Sequence, residues 1–178
     1  MAYDDVKDAP GLYRLGELDD YEVADDDPDV RGWEVRGRNG KSIGKVDELI
    51  IDPAVMKVRY LDIDLDEEFV KTRSDYRPEE KAEYHLLVPI GSAVLDEEDD
   101  EVLVNTVEPD VLLTCPVYNG DIITRDYENA VRRTLNPSET DYADEHHYEH
   151  DIYSENAFYG PRRLRGVDIP ETPEQAAI

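Results

Sequence analysis

Short apolar runs, separated by turn residues at regular intervals, occupy the chain from Val30 to Val107. Runs of this length and spacing are typical of an all-β barrel or sandwich, because short strands alternate there with tight turns. The segment Trp33–Arg36 alternates apolar and polar residues, Asn39-Gly40 supplies the φ > 0 positions of a hairpin turn, and Ser42–Ile51 returns as the second strand. The pattern therefore predicts a mainly β domain.

Further strands are predicted along the same stretch. Lys57–Leu65 sets apolar residues against charged neighbours, so we expect a strand with one buried face and one face in water. Asp66–Glu83 is polar and has no period, which indicates a long loop. Strands resume at Tyr84–Ile90 and Glu101–Val104, on either side of the acidic turn Asp96–Asp100. The expected fold is a small, closed or nearly closed antiparallel barrel over about residues 29–107.

Acidic segments flank this predicted barrel. The chain therefore divides into an extended acidic arm (residues 1–28), the barrel domain (29–107) and a C-terminal extension (108–178). The arm has few apolar residues, and we expect these to hold it on a surface: Leu12, Tyr13, Leu15, Leu18 and Tyr21. Disorder of the arm in isolation is the alternative.

The C-terminal extension is predicted to contain little regular structure. Pro109–Leu113 can form one helical turn, and Ile123–Leu135 is a short amphipathic helix that starts near Thr124 and is stopped by Pro137. An irregular tail follows, acidic and rich in aromatic residues, which supply contact area at low entropic cost. We expect a partner to bind Tyr13 and Tyr21 in the arm, and Tyr142, Tyr148, Tyr153, Phe158 and Tyr159 in the tail.

Both flanking segments are expected to become ordered only in a complex. Each has too few apolar residues to offset the conformational entropy that ordering removes.

The charge of the chain limits its partners. There are 45 acidic and 19 basic residues, for a formal net charge of −26. Such a charge repels phosphate backbones and anionic lipid headgroups, so direct binding of nucleic acid is not expected. Two explanations stay open, namely solubility and electrostatic steering toward a basic partner.

Cysteine content and hydropathy indicate the compartment. Cys115 is the only cysteine, so an intramolecular disulfide cannot form. The first residues have neither a basic nor an apolar region of the signal-peptide kind, and no run approaches the roughly 18 apolar residues that span a bilayer. We expect a cytoplasmic protein that contacts a membrane only through a partner.

No segment carries a recognised catalytic motif, such as a Gly-rich phosphate loop or a His-Glu-x-x-His pair. His146, His147 and His150 lie among carboxylates that could coordinate zinc, but their spacing is not a recognised signature, and metal binding there is left open. Cys115 precedes Pro116 in an apolar setting and is interpreted as a core residue. We therefore expect a non-enzyme with no catalytic residues and with no metal or cofactor bound directly.

Several segments closely resemble the PRC-barrel family, which is named after the photosynthetic reaction centre H subunit. They are Asp29–Val35, Asn39–Leu49, Ile51–Pro53, Val58–Leu61 and Leu87–Gly91. The resemblance implies a small PRC-type β-barrel, in which Gly44 allows sharp curvature or a bulge. These residues specify a fold rather than a reaction.

The opening Asp29–Val35, with its acidic lead-in, is similar to the cytoplasmic part of an H subunit. This similarity implies a non-enzymatic cap on the cytoplasmic face of a type II reaction centre. The partners would be the L and M subunits, which hold quinone and bacteriochlorophyll, and the cap would support electron and proton transfer to the quinone. Asp52 matches a position where an H subunit has a carboxylate near the proton route. Because no transmembrane helix is predicted in this chain, an H subunit of this kind would be a split or soluble version whose anchor is a separate polypeptide or is missing.

The segment Val117–Tyr127 instead resembles stand-alone PRC-barrel proteins. It implies a second hypothesis, an adaptor in stress response or in RNA and ribosome processing that binds a soluble protein. Co-purification with pigmented membranes would discriminate between the two.

Overall fold

A computed structural model describes residues 11–80, 83–139 and 144–165 of the 178-residue chain. In these residues the strands are β1 (Tyr13–Arg14), β2 (Glu34–Gly37), β3 (Ser42–Asp52), β4 (Lys57–Leu65), β5 (His85–Pro89), β6 (Val94–Asp96) and β7 (Glu101–Val104). The α-helices are α1 (Glu67–Val70), α2 (Pro109–Leu112), α3 (Arg125–Leu135) and α4 (Glu155–Arg165). Short 3₁₀ turns lie at Leu15–Glu17, Pro78–Glu80, Ile90–Ser92, Asp144–Glu149 and Asp151–Tyr153.

One curled sheet contains all seven of these strands. Its order is β5-β4-β3-β2-β7-β6, and β1 pairs with the far end of β3. The two outer strands, β5 and β6, are joined through the short turn Ile90–Ser92, so the sheet curls back toward itself. The predicted mainly β, barrel-like fold is confirmed.

One strand pair departs from the predicted antiparallel arrangement. β2 and β7 run parallel, with Glu34 opposite Glu101 and Gly37 opposite Val104. The pair is parallel because the β6–β7 hairpin returns from the far edge of the sheet and places its second strand beside β2.

β3 is the strand that gives the sheet its curvature. It pairs with β1, β2 and β4, and its pairing with β4 shifts register between Val46 and Glu48. Asp47 is the extra residue at this shift, and a bulge of this kind bends a strand and redirects its side chains. A second register shift, in the pairing with β2, lies beside Gly44.

The expectation that β4 has one face in water is wrong. Tyr60, Leu61, Asp62 and Ile63 are all buried. Leu61 and Ile63 point into the core, whereas Tyr60 and Asp62, on the opposite face, bind groups from the C-terminal extension and from the arm. Both flanking segments therefore cover a strand face that the sequence pattern assigned to solvent.

The hairpin turn and the predicted long loop also differ in detail. In the β2–β3 turn, Gly40 has the left-handed conformation, with φ of 76°. Asn39 does not have the positive φ that the sequence predicted. The segment predicted as an open loop, Asp66–Glu83, contains α1, whose Val70 is buried. Burial of this apolar side chain gives the segment an anchor on the barrel.

The described part of the arm packs on the barrel. Tyr13 and Arg14 pair with Ile51 and Ile50 of β3, and the Leu15 and Leu18 side chains are buried. The expected attachment of the arm through its leucines is confirmed.

The tail is more regular than predicted. It contains α4, and the 3₁₀ turn before α4 packs closely on Gly91, where a Cβ would overlap the Asp151 carbonyl oxygen. The expectation that both flanking segments become ordered only in a complex is wrong for these described parts, because each buries enough apolar surface on the barrel to be held in the single chain.

The predicted helix before the tail is confirmed. α3 begins after Thr124, whose hydroxyl accepts a hydrogen bond from the Tyr127 backbone N–H at 3.2 Å, as a helix N-cap does. Its buried face includes the apolar residues Val131 and Leu135, as an amphipathic helix requires, and also two charged residues, Glu128 and Arg132.

Gly44 offers a test of this barrel. A Cβ at this position would overlap the Asp64 carbonyl oxygen and lie 3.0 Å from the Leu65 Cα, both backbone atoms of β4. We expect Gly44→Ala to lower the free energy of unfolding by about 3 kcal/mol or more, because β3 and β4 must separate. Gly32→Ala is the matched control, since Gly32 has φ of 86° with open space around it, and should cost about 1 kcal/mol. Urea denaturation of both variants measures the difference, and equal losses would contradict the close approach.

Candidate functional site

Asp62, in the middle of β4, is the most deeply buried carboxylate described, with 0% exposure. Arg14 Nη1 donates a hydrogen bond to its Oδ2 at 3.0 Å, and His85 Nδ1 lies 2.7 Å from its Oδ1. A buried carboxylate is tolerated only when it is paired and hydrogen-bonded. The arm and β5 thus each supply one partner for this charge.

The bulge in β3 completes this cluster. Asp47, the extra residue of the bulge, lies 2.6 Å from Arg14 Nη2. The guanidinium therefore bridges one exposed and one buried carboxylate, and it fastens the arm across β3 and β4. We call Arg14, Asp47, Asp62 and His85 the arm cluster.

The hydrogen bond with Asp62 raises the pKa of His85, against the opposing effect of burial. Asp64 and Asp47 act in the same direction. The imidazolium is therefore favoured in the folded state.

A second polar network joins the barrel to the C-terminal extension. Glu128 on α3 accepts hydrogen bonds from Tyr60 of β4 at 3.0 Å and from Tyr148 at 2.6 Å, and its other oxygen pairs with Arg125. Tyr153 Oη lies 2.9 Å from Tyr60 Oη. We call Tyr60, Glu128, His147, Tyr148 and Tyr153 the tyrosine cluster.

Donor and acceptor chemistry fixes the direction of these bonds. Arg132 Nη1 can only donate, so His147 Nδ1, at 2.9 Å, accepts and the imidazole carries its hydrogen on Nε2. That Nε2–H donates to Tyr153 Oη, the Tyr153 hydroxyl donates to Tyr60, and the Tyr60 hydroxyl donates to Glu128. One continuous chain of hydrogen bonds runs from α3 through the tail and the barrel and back to α3.

Burial dominates the ionisation of this network. It raises the pKa of Glu128, although bonds from Tyr148 and Tyr60 oppose the shift. It lowers the pKa of His147 to about 3, with further lowering by nearby arginines, so this imidazole is neutral. The cluster holds the tail on the barrel without an ionised histidine.

The structure corrects three of the predicted partner-binding residues. Tyr153, Phe158 and Tyr159 are buried in the hydrophobic core, so they cannot serve as exposed contact residues. They are core residues because α4 and its preceding turn pack on the barrel.

The other predicted contact residues have different positions. Tyr13 and Tyr21 are half-buried in the arm. Tyr148 is half-buried beneath the Arg59 guanidinium, whose carbon lies 4.2 Å from the ring centroid. Tyr142 lies outside the described residues. A partner-binding role for Tyr13, Tyr21 and Tyr148 stays a prediction.

Asp52 is the last residue of β3, next to the turn that leads into β4. Its Oδ1 accepts a hydrogen bond from the Ala54 N–H at 3.2 Å, and its Oδ2 is 3.7 Å from Arg59. These contacts stabilise the turn, and a role on a proton route stays a prediction.

The three tail histidines point to different partners. His147 belongs to the tyrosine cluster, His146 lies 3.1 Å from Glu149, and His150 lies 3.1 Å from Glu139. Cys115 is buried, and burial raises its thiol pKa to about 12, which agrees with the predicted core role.

Sequence reasoning missed Asp62, His85 and Glu128. The available signal was weak. Asp62 and Asp64 alternate with apolar residues along β4, which is the pattern of a strand with one face in water. Asp62 is buried only because the arm packs over it. The i, i+4 relation of Glu128 to Arg132 on the same helix face as Val131 was a stronger clue to a buried polar face.

The pH dependence of stability tests the arm cluster. Because the folded-state pKa of His85 is raised, its contribution to stability is fully present below the unfolded pKa of about 6.5 and is lost as the pH rises through the folded value. We expect His85→Gln to remove this loss, measured by urea midpoints across neutral and alkaline pH. His146→Gln, an exposed histidine beside Glu149, is the control and should keep the wild-type profile. A profile unchanged in His85→Gln would contradict the assignment.

Among the described residues, no helix is both long enough and apolar enough to cross a membrane.

The family model for the PRC-barrel domain matches residues 22–111, half of the chain, which span β2 to β7 and the start of α2. Comparison with curated proteins finds no match. Because the family model matches half of the chain, the chain belongs to the PRC-barrel family.

Proposed function

We propose that this PRC-barrel protein is a non-enzymatic accessory protein that docks on a basic surface of a larger protein assembly. The observation that carries the proposal is the division of its charges. The buried polar groups of the arm cluster and the tyrosine cluster bind one another, while many other carboxylates are exposed to solvent. Runs of consecutive exposed carboxylates include Asp25 and Asp26 in the arm and Glu98–Asp100 at the β6–β7 tip.

Apolar docking is less well supported. The large apolar side chains that are exposed in the described part of the chain are Val55, Met56 and Ile122. Single exposed apolar residues are normal on protein surfaces, whereas an apolar interface needs a contiguous patch. Charge complementarity gives speed and specificity to association between proteins, and it suits a chain of net charge −26.

The finer proposal is a cap on the cytoplasmic face of a type II photosynthetic reaction centre, with the protein held peripherally on the L and M subunits. The family match and the acidic lead-in to β2 support it. On this proposal the cap stabilises the complex and supports electron and proton transfer to quinone, while quinone and bacteriochlorophyll are bound by the partner subunits.

A second candidate function is a stand-alone adaptor that binds a soluble protein. One observation favours it: the chain covers the end of its own barrel, since α4 and its preceding turn pack on Ile90–Ser92 and bury Tyr153 and Phe158. A barrel that is closed in this way does not need a partner to complete its core.

If docking depends on charge, the complex should weaken as the salt concentration rises. Its affinity should also depend on which carboxylates are removed. Changing Asp25, Asp26 and Asp27 together to Asn should weaken capture of the partner from native membranes or extracts. It should also reduce the dependence of binding on salt concentration, because fewer ion pairs form. A second triple variant, in which Glu97 and Glu98 are changed to Gln and Asp99 to Asn, removes an equal number of charges from the β6–β7 tip, and comparison of the two variants shows which acidic segment the partner contacts. Binding that is insensitive to salt and equal in all three proteins would contradict charge-driven docking.

Flash-induced electron transfer tests the cap. Washing the protein from photosynthetic membranes with salt should slow transfer to the secondary quinone and leave primary charge separation intact, because the pigments belong to other subunits. Asp52→Asn should reproduce part of the slowing if its carboxylate carries protons. The Asn amide oxygen can still accept the Ala54 N–H, so the turn is preserved. Identical secondary-quinone reduction at every pH would overturn the cap and leave the adaptor.

A further inference from the structure

Nε2 of His85 is the ring nitrogen that does not contact Asp62. It lies near carboxylates that have no part in the fold or in the proposed docking. His85 is mostly buried, with 14% of its side chain exposed, at the end of β5. A cavity of about 230 Å³ opens beside it and is lined by Asp47, Glu83 and Tyr118 among others.

Asp62 fixes which nitrogen of His85 can bind a ligand. The buried carboxylate lies 2.7 Å from Nδ1, and a carboxylate can only accept, so Nδ1 carries a hydrogen in every protonation state. The neutral imidazole therefore has its lone pair on Nε2. A histidine that binds a metal through one nitrogen commonly donates its other N–H to a carboxylate, which orients the ring and increases its basicity.

Two carboxylates lie near that nitrogen. Glu83 Oε2 lies 3.7 Å and Asp64 Oδ1 lies 3.9 Å from His85 Nε2. Ligand atoms bound tetrahedrally to zinc at its usual bond lengths are separated by about 3.4 Å, so side-chain rotation has to bring the two carboxylates together around the metal. Both carboxylates can rotate, since the Glu83 side chain is 84% exposed and that of Asp64 is 50% exposed.

We propose that His85 Nε2, Glu83 and Asp64 bind a divalent transition-metal ion of the zinc class, and that Asp62 holds the imidazole in the tautomer that binds it. Imidazole nitrogen with carboxylate oxygen is a donor set that suits zinc, whereas magnesium and calcium prefer oxygen ligands alone.

A neighbouring position is less suitable. Asp47, Asp62 and His85 also offer ligand atoms within 4.8 Å of one another. Arg14 already lies between the two carboxylates, at 2.6 Å from Asp47 and 3.0 Å from Asp62, and a metal there would have to displace it. The Nε2 position leaves the guanidinium and the arm in place.

The proton is the natural competitor for this position. Six groups surround His85. They are Asp62 and Asp64 of β4, Asp47 and Arg14 of the arm cluster, and Glu83 and Tyr118 at the cavity. Metal binding at Nε2 requires the neutral imidazole, so affinity should fall as the pH is lowered and His85 becomes protonated.

Titration calorimetry of the full chain with zinc chloride, in excess magnesium to fill non-specific carboxylate sites, tests the proposal. We expect one zinc-selective site in the wild type that is lost in His85→Gln. His146→Gln is the matched control, because His146 also lies near two carboxylates, Glu145 and Glu149, and it should bind as the wild type does. Equal binding by His85→Gln and the wild type would overturn the proposal, and so would equal losses in the two histidine variants.

Three further variants keep the test independent of folding and of position. Glu83→Gln changes an exposed side chain and should weaken zinc binding about tenfold or more, as should Asp62→Asn through loss of ring orientation. Arg14→Gln should leave the affinity within a few-fold; a large gain would place the metal between Asp47 and Asp62 and overturn the Nε2 assignment. Imidazole ¹⁵N spectra should show zinc shifting Nε2 of His85, with the proton retained on Nδ1, and a shift of Nδ1 instead would also overturn it.

Discussion

The burial of one negative charge organises this molecule. Asp62 lies in the centre of β4 with no contact to solvent, and a lone carboxylate in that position would cost several kcal/mol. Its partners come from opposite directions along the chain, Arg14 from the arm and His85 from β5. A pair of this kind is a weak source of net stability, because desolvation of both ions offsets their attraction. Its effect is on specificity, since any arrangement that leaves the arm undocked also leaves a buried charge without its partner.

The same principle operates two residues earlier on the same face of β4. Tyr60 shares its face with Asp62, and its hydroxyl joins α3 and the tail through Glu128, Tyr153 and His147. Polar groups on one strand face thus specify where two flanking segments must pack, while the aliphatic face fills the barrel. The described arm and tail are therefore parts of the folded domain.

Much of the barrel could be predicted from the sequence, because short alternating runs, the Asn39-Gly40 turn and the helix signals around Thr124 and Pro137 are local features. The parallel pairing of β2 with β7 could not, since it depends on contacts distant along the chain. The burial of Asp62 and Tyr153 was missed for a related reason. A charged or aromatic residue in a polar segment is assigned to the surface unless the segment that covers it is known. The arm cluster joins four separate segments and carries no local spacing that a motif could describe.

The parallel pair has a consequence for how the chain folds as it is synthesised. β2 is the first barrel strand to leave the ribosome and β7 is the last, so the sheet cannot curl shut until nearly all of the family domain has emerged. Non-local pairings of this kind slow folding, because loop-closure entropy is lost before the contacts form. The high negative charge of the nascent segments then has a second benefit, since mutual repulsion keeps unpaired strand edges on neighbouring chains apart.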